Sequence, residues 1–179
     1  SATARTECLG LTGTGSWTIE DTLEIGTGTS NVVSVGGGGT ITVRDLIITS
    51  GNDLNIDNGG TFSISGDYDA DVQTNVNWIS GGTLSVGGTL TKSNGLDGVN
   101  RTLVVNGEDA GWDPGGDLTV SGTSNTLSIV DGGSVISTDG YVGASSNSLD
   151  NAVVVNGDGS TWTNSGTLQV GYLGSYVTT

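Results

Sequence analysis

Val35-Gly-Gly-Gly-Gly-Thr-Ile-Thr-Val43, Ile56-Asp-Asn-Gly-Gly-Thr-Phe-Ser-Ile64 and Trp78-Ile-Ser-Gly-Gly-Thr-Leu-Ser-Val86 are three copies of one short phrase. Working outward, the phrase returns seven times, from anchors at Trp17, Val35, Ile56, Trp78, Trp112, Ile129 and Trp162. Four residues after the anchor stand Asp21, Gly39, Gly60, Gly82, Gly116, Gly133 and Gly166, and six residues after it Leu23, Ile41, Phe62, Leu84, Leu118, Val135 and Leu168. The position eight residues on is apolar in every copy but the one ending at Ser137. Apolar residues two apart face one side of a strand. The Gly-Gly-Thr and Ser-Gly-Thr steps suit tight corners that need positive backbone dihedrals. Each unit therefore reads as strand, corner, strand. Successive anchors stand 18, 21, 22, 34, 17 and 33 residues apart, and the two long gaps are expected to hold a skipped unit.

A unit this short cannot bury an apolar face alone, so successive units must stack. The expected fold is all-β: a parallel β-helix (β-solenoid), right-handed, as a single repeat domain of eight or so coils. Residues 1–10 are expected to form an N-terminal cap or docking segment, and 11–179 the solenoid. A β-sandwich would also place strands at short intervals, but it does not require one fixed register. The 33 glycines, the single proline and the abundance of Thr, Ser, Asn and Val leave little room for helix.

Charge narrows the partners. Arg5, Arg44, Lys92 and Arg101 face 19 acidic residues, a net charge of −15 that repels nucleic acid and anionic membranes. The apolar run Leu46-Ile47-Ile48 is far shorter than the roughly 20 residues of a spanning helix, so no membrane insertion is expected. The chain begins at Ser1, as a mature secreted product or an excised fragment would. Cys8 is the sole cysteine, so no intrachain disulfide forms; it reads as a small apolar residue of the first coil or as an attachment point.

The segment Val155-Asn-Gly-Asp-Gly-Ser-Thr-Trp162-Thr-Asn-Ser-Gly-Thr-Leu168-Gln-Val170-Gly-Tyr-Leu-Gly-Ser resembles the passenger repeats of bacterial autotransporters, a repeat type that also occurs in exosortase-sorted, PEP-CTERM-associated surface proteins. Val105-Asn-Gly-Glu-Asp-Ala-Gly-Trp112 followed by Gly-Gly-Asp-Leu118-Thr-Val120 is a looser copy, Thr126-Leu-Ser-Ile129-Val-Asp-Gly-Gly-Ser-Val135 resembles the intervening half of the repeat, and the resemblance covers roughly residues 103–179. It implies an extracellular or cell-surface β-helix of bacterial type with a structural, adhesive or matrix role. It carries no catalytic residue.

The residue chemistry offers little to an enzyme. Without histidine there is no His-based triad and no base for a thiol nucleophile. Arg44, Lys92 and Arg101 are too scattered for a lyase of acidic polysaccharides. Asp109, Asp113 and Asp117 are close enough in sequence to line a groove as glycosidase carboxylates, although aspartate is also an ordinary corner residue. No catalytic activity and no resident cofactor are expected. For a metal, Asp67, Asp69 and Asp71 offer alternate carboxylates that suit calcium, though without the glycine and terminal glutamate of an EF-hand loop. Exposed tryptophans would stack on sugars, whereas Val35, Ile56 and Ile129 in the same frame argue for an inward position. Asn100-Arg-Thr102 is a formal glycosylation sequon.

A short hydroxyl ladder remains: Thr40-Ile-Thr42, Thr61-Phe-Ser63 and Thr83-Leu-Ser85 place outward hydroxyls on adjacent coils, an arrangement suited to ice. Thr22-Leu-Glu24 and Asp117-Leu-Thr119 are expected to interrupt it with charge. The leading expectation is a secreted or surface-displayed structural or adhesive rod that stacks end to end with itself into fibres or meets surface glycans. A polysaccharide-binding or polysaccharide-cleaving β-helix is the alternative, and an ice-binding solenoid the lesser one.

Overall fold

The computed structural model describes residues 8–171 except 27, 29, 58, 72–75, 79, 80 and 94. Its nineteen strands are β1 (Cys8–Thr12), β2 (Ser16–Ile25), β3 (Val32–Gly36), β4 (Thr40–Ile48), β5 (Asp53–Ile56), β6 (Thr61–Ile64), β7 (Tyr68–Asp69), β8 (Val76–Trp78), β9 (Thr83–Val86), β10 (Thr89–Thr91), β11 (Thr102–Asn106), β12 (Gly111–Trp112), β13 (Leu118–Val120), β14 (Thr126–Val130), β15 (Ser134–Ser137), β16 (Gly140–Val142), β17 (Ala152–Asn156), β18 (Thr161–Asn164) and β19 (Leu168–Val170). No helix occurs among the described residues.

Every strand pairing is parallel and joins one coil to the next, so the fold is a β-solenoid. Sheet A runs β1-β3-β5-β8, sheet B β2-β4-β6-β9-β11-β14-β17, sheet C β7-β10-β12-β15-β18 and sheet D β13-β16-β19. In the first two turns the chain alternates between B and A; sheet C enters at β7, the turn from β6 runs B, C, A, the turn from β9 runs B, C, and those from β11 and β14 run B, C, D. The bridges Leu96↔Val120 and Val99↔Thr123 lie where A gives way to D. Seven B strands bound six turns rather than eight, which at ~4.8 Å per coil is a length of about 29 Å.

The Cα partners Trp17, Ile41, Phe62, Leu84, Leu103, Leu127 and Val153 of sheet B set the turn lengths at 24, 21, 22, 19, 24 and 26 residues. They correct the single register read from the anchors. Val35, Ile56 and Trp78 stack with Leu11 in sheet A, Trp17 begins a column in sheet B, and Trp112 and Trp162 stack with Tyr68, Leu90 and Val135 in sheet C. Ile129 belongs to sheet B beside Val105 and Val155. The long gaps are thus one full turn plus the step from one sheet to another, and β11 and β17 lie inside them.

The inward columns form one core. Val35, Ile41, Val43, Ile56, Phe62, Ile64, Val105, Ile129 and Val135 are wholly buried, and Leu11, Trp17 and Trp162 pack against its ends. Two glycines of each corner do different work. Gly59 supplies a φ of +79°, whereas Gly60 is needed because a Cβ there would lie 2.3 Å from the Val35 carbonyl oxygen of the coil beneath. The N-terminal boundary also moves: Cys8, Leu9 and Gly10 already pair with Val32, Val33 and Ser34, so the described part of segment 1–10 is solenoid strand rather than cap. The remainder of that segment, residues 1–7, and the C-terminal residues 172–179 lie outside the described residues.

Candidate functional face

Sheet B holds the longest uninterrupted ladder, and its alternation decides what it shows to solvent. In β6, in β9 and over residues 40–43 of β4 the burial alternates strictly, with Ile41, Val43, Phe62, Ile64, Leu84 and Val86 inward and the Thr and Ser between them half-buried. β-Branched residues suit such a pleated, half-buried surface, and threonine's side-chain torsion is stiff. Two outward columns result. One runs Ser16, Thr40, Thr61, Thr83, Thr102, Thr126, Ala152, and the other Thr18, Thr42, Ser63, Ser85, Val104, Ser128, Val154.

From β4 to β14 these columns hold ten side chains, nine with a hydroxyl and none charged or aromatic. The single register shift in sheet B lies between β2 and β4, near Ile19 and Thr22, outside that block. The ladder is longer than the three rungs visible in the sequence. The expected interruptions are elsewhere: Thr22-Leu23-Glu24 pairs with Asp45-Leu46-Ile47 in the outer half of β2 and β4, and Leu118-Thr119 lies in sheet D. Corner hydroxyls are tied to protein groups, as where Ser160 Oγ donates to the Asn156 carbonyl at 2.7 Å and Thr49 Oγ1 to the Ile25 carbonyl at 3.2 Å. Among the described residues, no hydroxyl of the ten-residue block makes such a bond.

The calcium residues do not converge. Asp67 Oδ1 accepts from the Thr89 amide at 2.7 Å, Asp69 Oδ1 from the Asp71 amide at 3.0 Å, and Asp71 from the Ser93 amide at 3.0 and 2.9 Å on its two oxygens. The Ser93 hydroxyl and amide hold the Asp71 carboxyl below the usual carboxylate range. No group of three or more acidic or cysteine side chains able to hold a metal occurs among the described residues. The same clamp recurs elsewhere: Asp139 Oδ1 accepts from the Thr167 amide at 2.6 Å, and Asp117 Oδ1 from the Asp139 amide at 3.2 Å. Of the proposed glycosidase carboxylates, Asp117 is therefore an inter-coil clamp, and Asp113 accepts from the Gly115 amide within its own corner.

The described basic residues are each held by neighbouring groups. Arg44 pairs with Asp21 and Asp45 on the rim of sheet B, and Arg101 donates to the Asp97 carbonyl at 2.7 Å. Burial lowers the Lys92 ammonium pKa, and the neighbouring Asp71 charge opposes that shift. Trp112 is inside, 1% exposed, its indole N–H donating to the Lys92 carbonyl at 2.9 Å. Trp162 is half-buried and donates to Ser137 Oγ at 3.1 Å. Trp17 and Trp162 stand at opposite ends of the rod in different sheets, so they do not form a strip with Trp112.

Side-chain amides at the corners carry no signal in the anchor pattern. Buried Asn125 donates to the carbonyl of Gly98 at 2.9 Å and to that of Ser121, and accepts from the Arg101 amide at 2.9 Å. Asn151 accepts from the Asn125 amide at 3.1 Å, and Asn52 accepts from the Asn31 amide at 2.8 Å. The available signal is an Asn just before a strand, as in Asn31-Val32, Asn52-Asp53, Asn125-Thr126 and Asn151-Ala152. No family model, no curated protein and no solved structure matches the chain.

Proposed function

We propose that the chain is a structural, non-enzymatic rod displayed outside the cell, where it spaces, stiffens or adheres. The observation that carries this reading is the single core running unbroken through the inward columns of sheet B from Ile41 to Ile129, with parallel backbone ladders on its perimeter. A solenoid of this kind gains stiffness from nearest-neighbour contacts repeated along one axis. The carboxylates described above serve inter-coil clamping and corner geometry, which is the use a scaffold has for them. The high negative charge keeps such rods soluble and apart.

The proposal includes end-to-end stacking of copies. In β17 and β19 the core-facing Val155 and Val170 are 45% and 49% exposed, where Ile129 and Val142 one coil earlier are 0% and 4%. A parallel strand of the same register covers such positions and pairs their backbone. Negative-stain electron microscopy over a concentration series tests the reading. Fibres that lengthen with concentration are expected, and rods of one fixed length at every concentration overturn the stacking. Release of reducing ends from an acidic polysaccharide, assayed separately, overturns the non-enzymatic reading.

A further inference from the structure

We propose that the outward face of sheet B, centred on Thr61, Thr83 and Thr102, binds ice. This goes beyond a structural role and does not depend on end-to-end stacking. Three independent features of the face lead to the same ligand. Its chemistry is hydroxyl and methyl only: Thr40, Thr42, Thr61, Ser63, Thr83, Ser85, Thr102, Thr126 and Ser128, with Val104 as the one aliphatic member. A charged partner finds no counter-charge here, and a sugar ring finds no aromatic plane. Among the described residues the hydroxyls of this block are not bonded to protein groups, unlike those at the corners, so their hydrogen-bonding capacity is open to water at a half-buried face.

The third feature is the repeat. Strands pair in register from β4 through β14, so hydroxyl-bearing side chains recur at ~4.8 Å along the rod and at about 6.7 Å, two residues, along each strand. That grid is near the oxygen repeat of a prism face of ice. Its members are held before any ligand arrives: the backbone is fixed by ladders on both sides, and threonine has few torsions to lose. The methyl groups disfavour disordered water beside them while the hydroxyls fix a lattice of water between them, so a growing ice layer replaces no protein hydrogen bond.

Thermal hysteresis and crystal shape, measured by nanolitre osmometry on the full chain, test the proposal. The wild-type chain is expected to facet ice crystals and to open a gap between melting and freezing. Thr83→Lys places a long cation at the centre of the grid and is expected to abolish most of that gap with an unchanged far-UV circular dichroism spectrum. Thr83→Val keeps the methyl shape and strand preference, and serves if the lysine variant misfolds; it is expected to weaken hysteresis partially. Thr161→Lys, outward on sheet C, is expected to leave the gap intact. Hysteresis no greater than that of an unrelated protein at the same concentration overturns the proposal, as does equal loss in Thr161→Lys. A sedimentation dimer that Thr83→Lys breaks also overturns it, by assigning the face to a second copy.

Discussion

Asn125 shows how a solenoid coil is fastened by one side chain. With its amide wholly buried and three backbone groups depending on it, truncation leaves unsatisfied donors and acceptors in a dry corner. Asn125→Ala is expected to lower unfolding stability by about 2–4 kcal/mol, read as a fall in the urea midpoint. Two titrating side chains respond to pH in opposite directions. Burial, with the Asp69 charge adding to it, raises the pKa of the Tyr68 phenol, so its contribution is intact below about pH 10 and fades as pH climbs further. Tyr68→Phe is expected to resist alkaline unfolding better than wild type, followed by circular dichroism. Asp71 runs the other way. Its carboxyl is depressed by Ser93, so the clamp is intact above the ordinary aspartate pKa of about 4 and is released as pH falls through the lower folded value. The protection of the Ser93 amide, its exchange rate compared with the intrinsic rate at the same pH, is expected to fall in that acid range, while the protection of core Ile64 holds.

At the level of strands and corners, the phrase at Val35, Ile56 and Trp78 was readable because those copies share a sheet, a corner and the same close approach of Gly39, Gly60 and Gly82 to the coil beneath. Ile129 carries the same letters from sheet B, and Trp17 shares the spacing with Asp21 in place of the glycine, since an inward residue ahead of a corner and an inward strand satisfies the spacing whichever sheet it lies in. Local spacing gives strand and corner; which columns stack is settled by backbone pairing across 19 to 26 residues, and turn length varies too much for one frame to follow it. The hydroxyl face was legible only over its first three rungs, because β11 and β14 continue it without the Gly-Gly corner that flags the others. The acid residues were visible but their partners were not: an amide 22 residues away leaves no mark beside Asp67 or Asp71. Corner glycines give a paired test. Gly60→Ala sets a methyl against the Val35 carbonyl and is expected to cost several degrees in Tm, whereas Gly116→Ala meets no atom within 4 Å and is expected to be nearly silent in the same thermal scan.

For the molecule as a whole, the described part is about 29 Å long over six turns, and turns of 19 to 26 residues at ~3.3 Å each give it a width comparable to that length. Small-angle scattering should return a cross-section that does not change when Thr83→Lys is introduced, because the substitution acts on a surface and not on the core. All the ladders being parallel has one more effect. Among the described residues the first and last coils present different strands in different sheets, A and B in the first and B, C and D in the last. Contacts between copies are then heterologous, and a translation with rotation along the axis does not close on itself. Any filament built from this chain has a direction, with two tips that grow at different rates, and a surface carrying it can distinguish its root from its leading end.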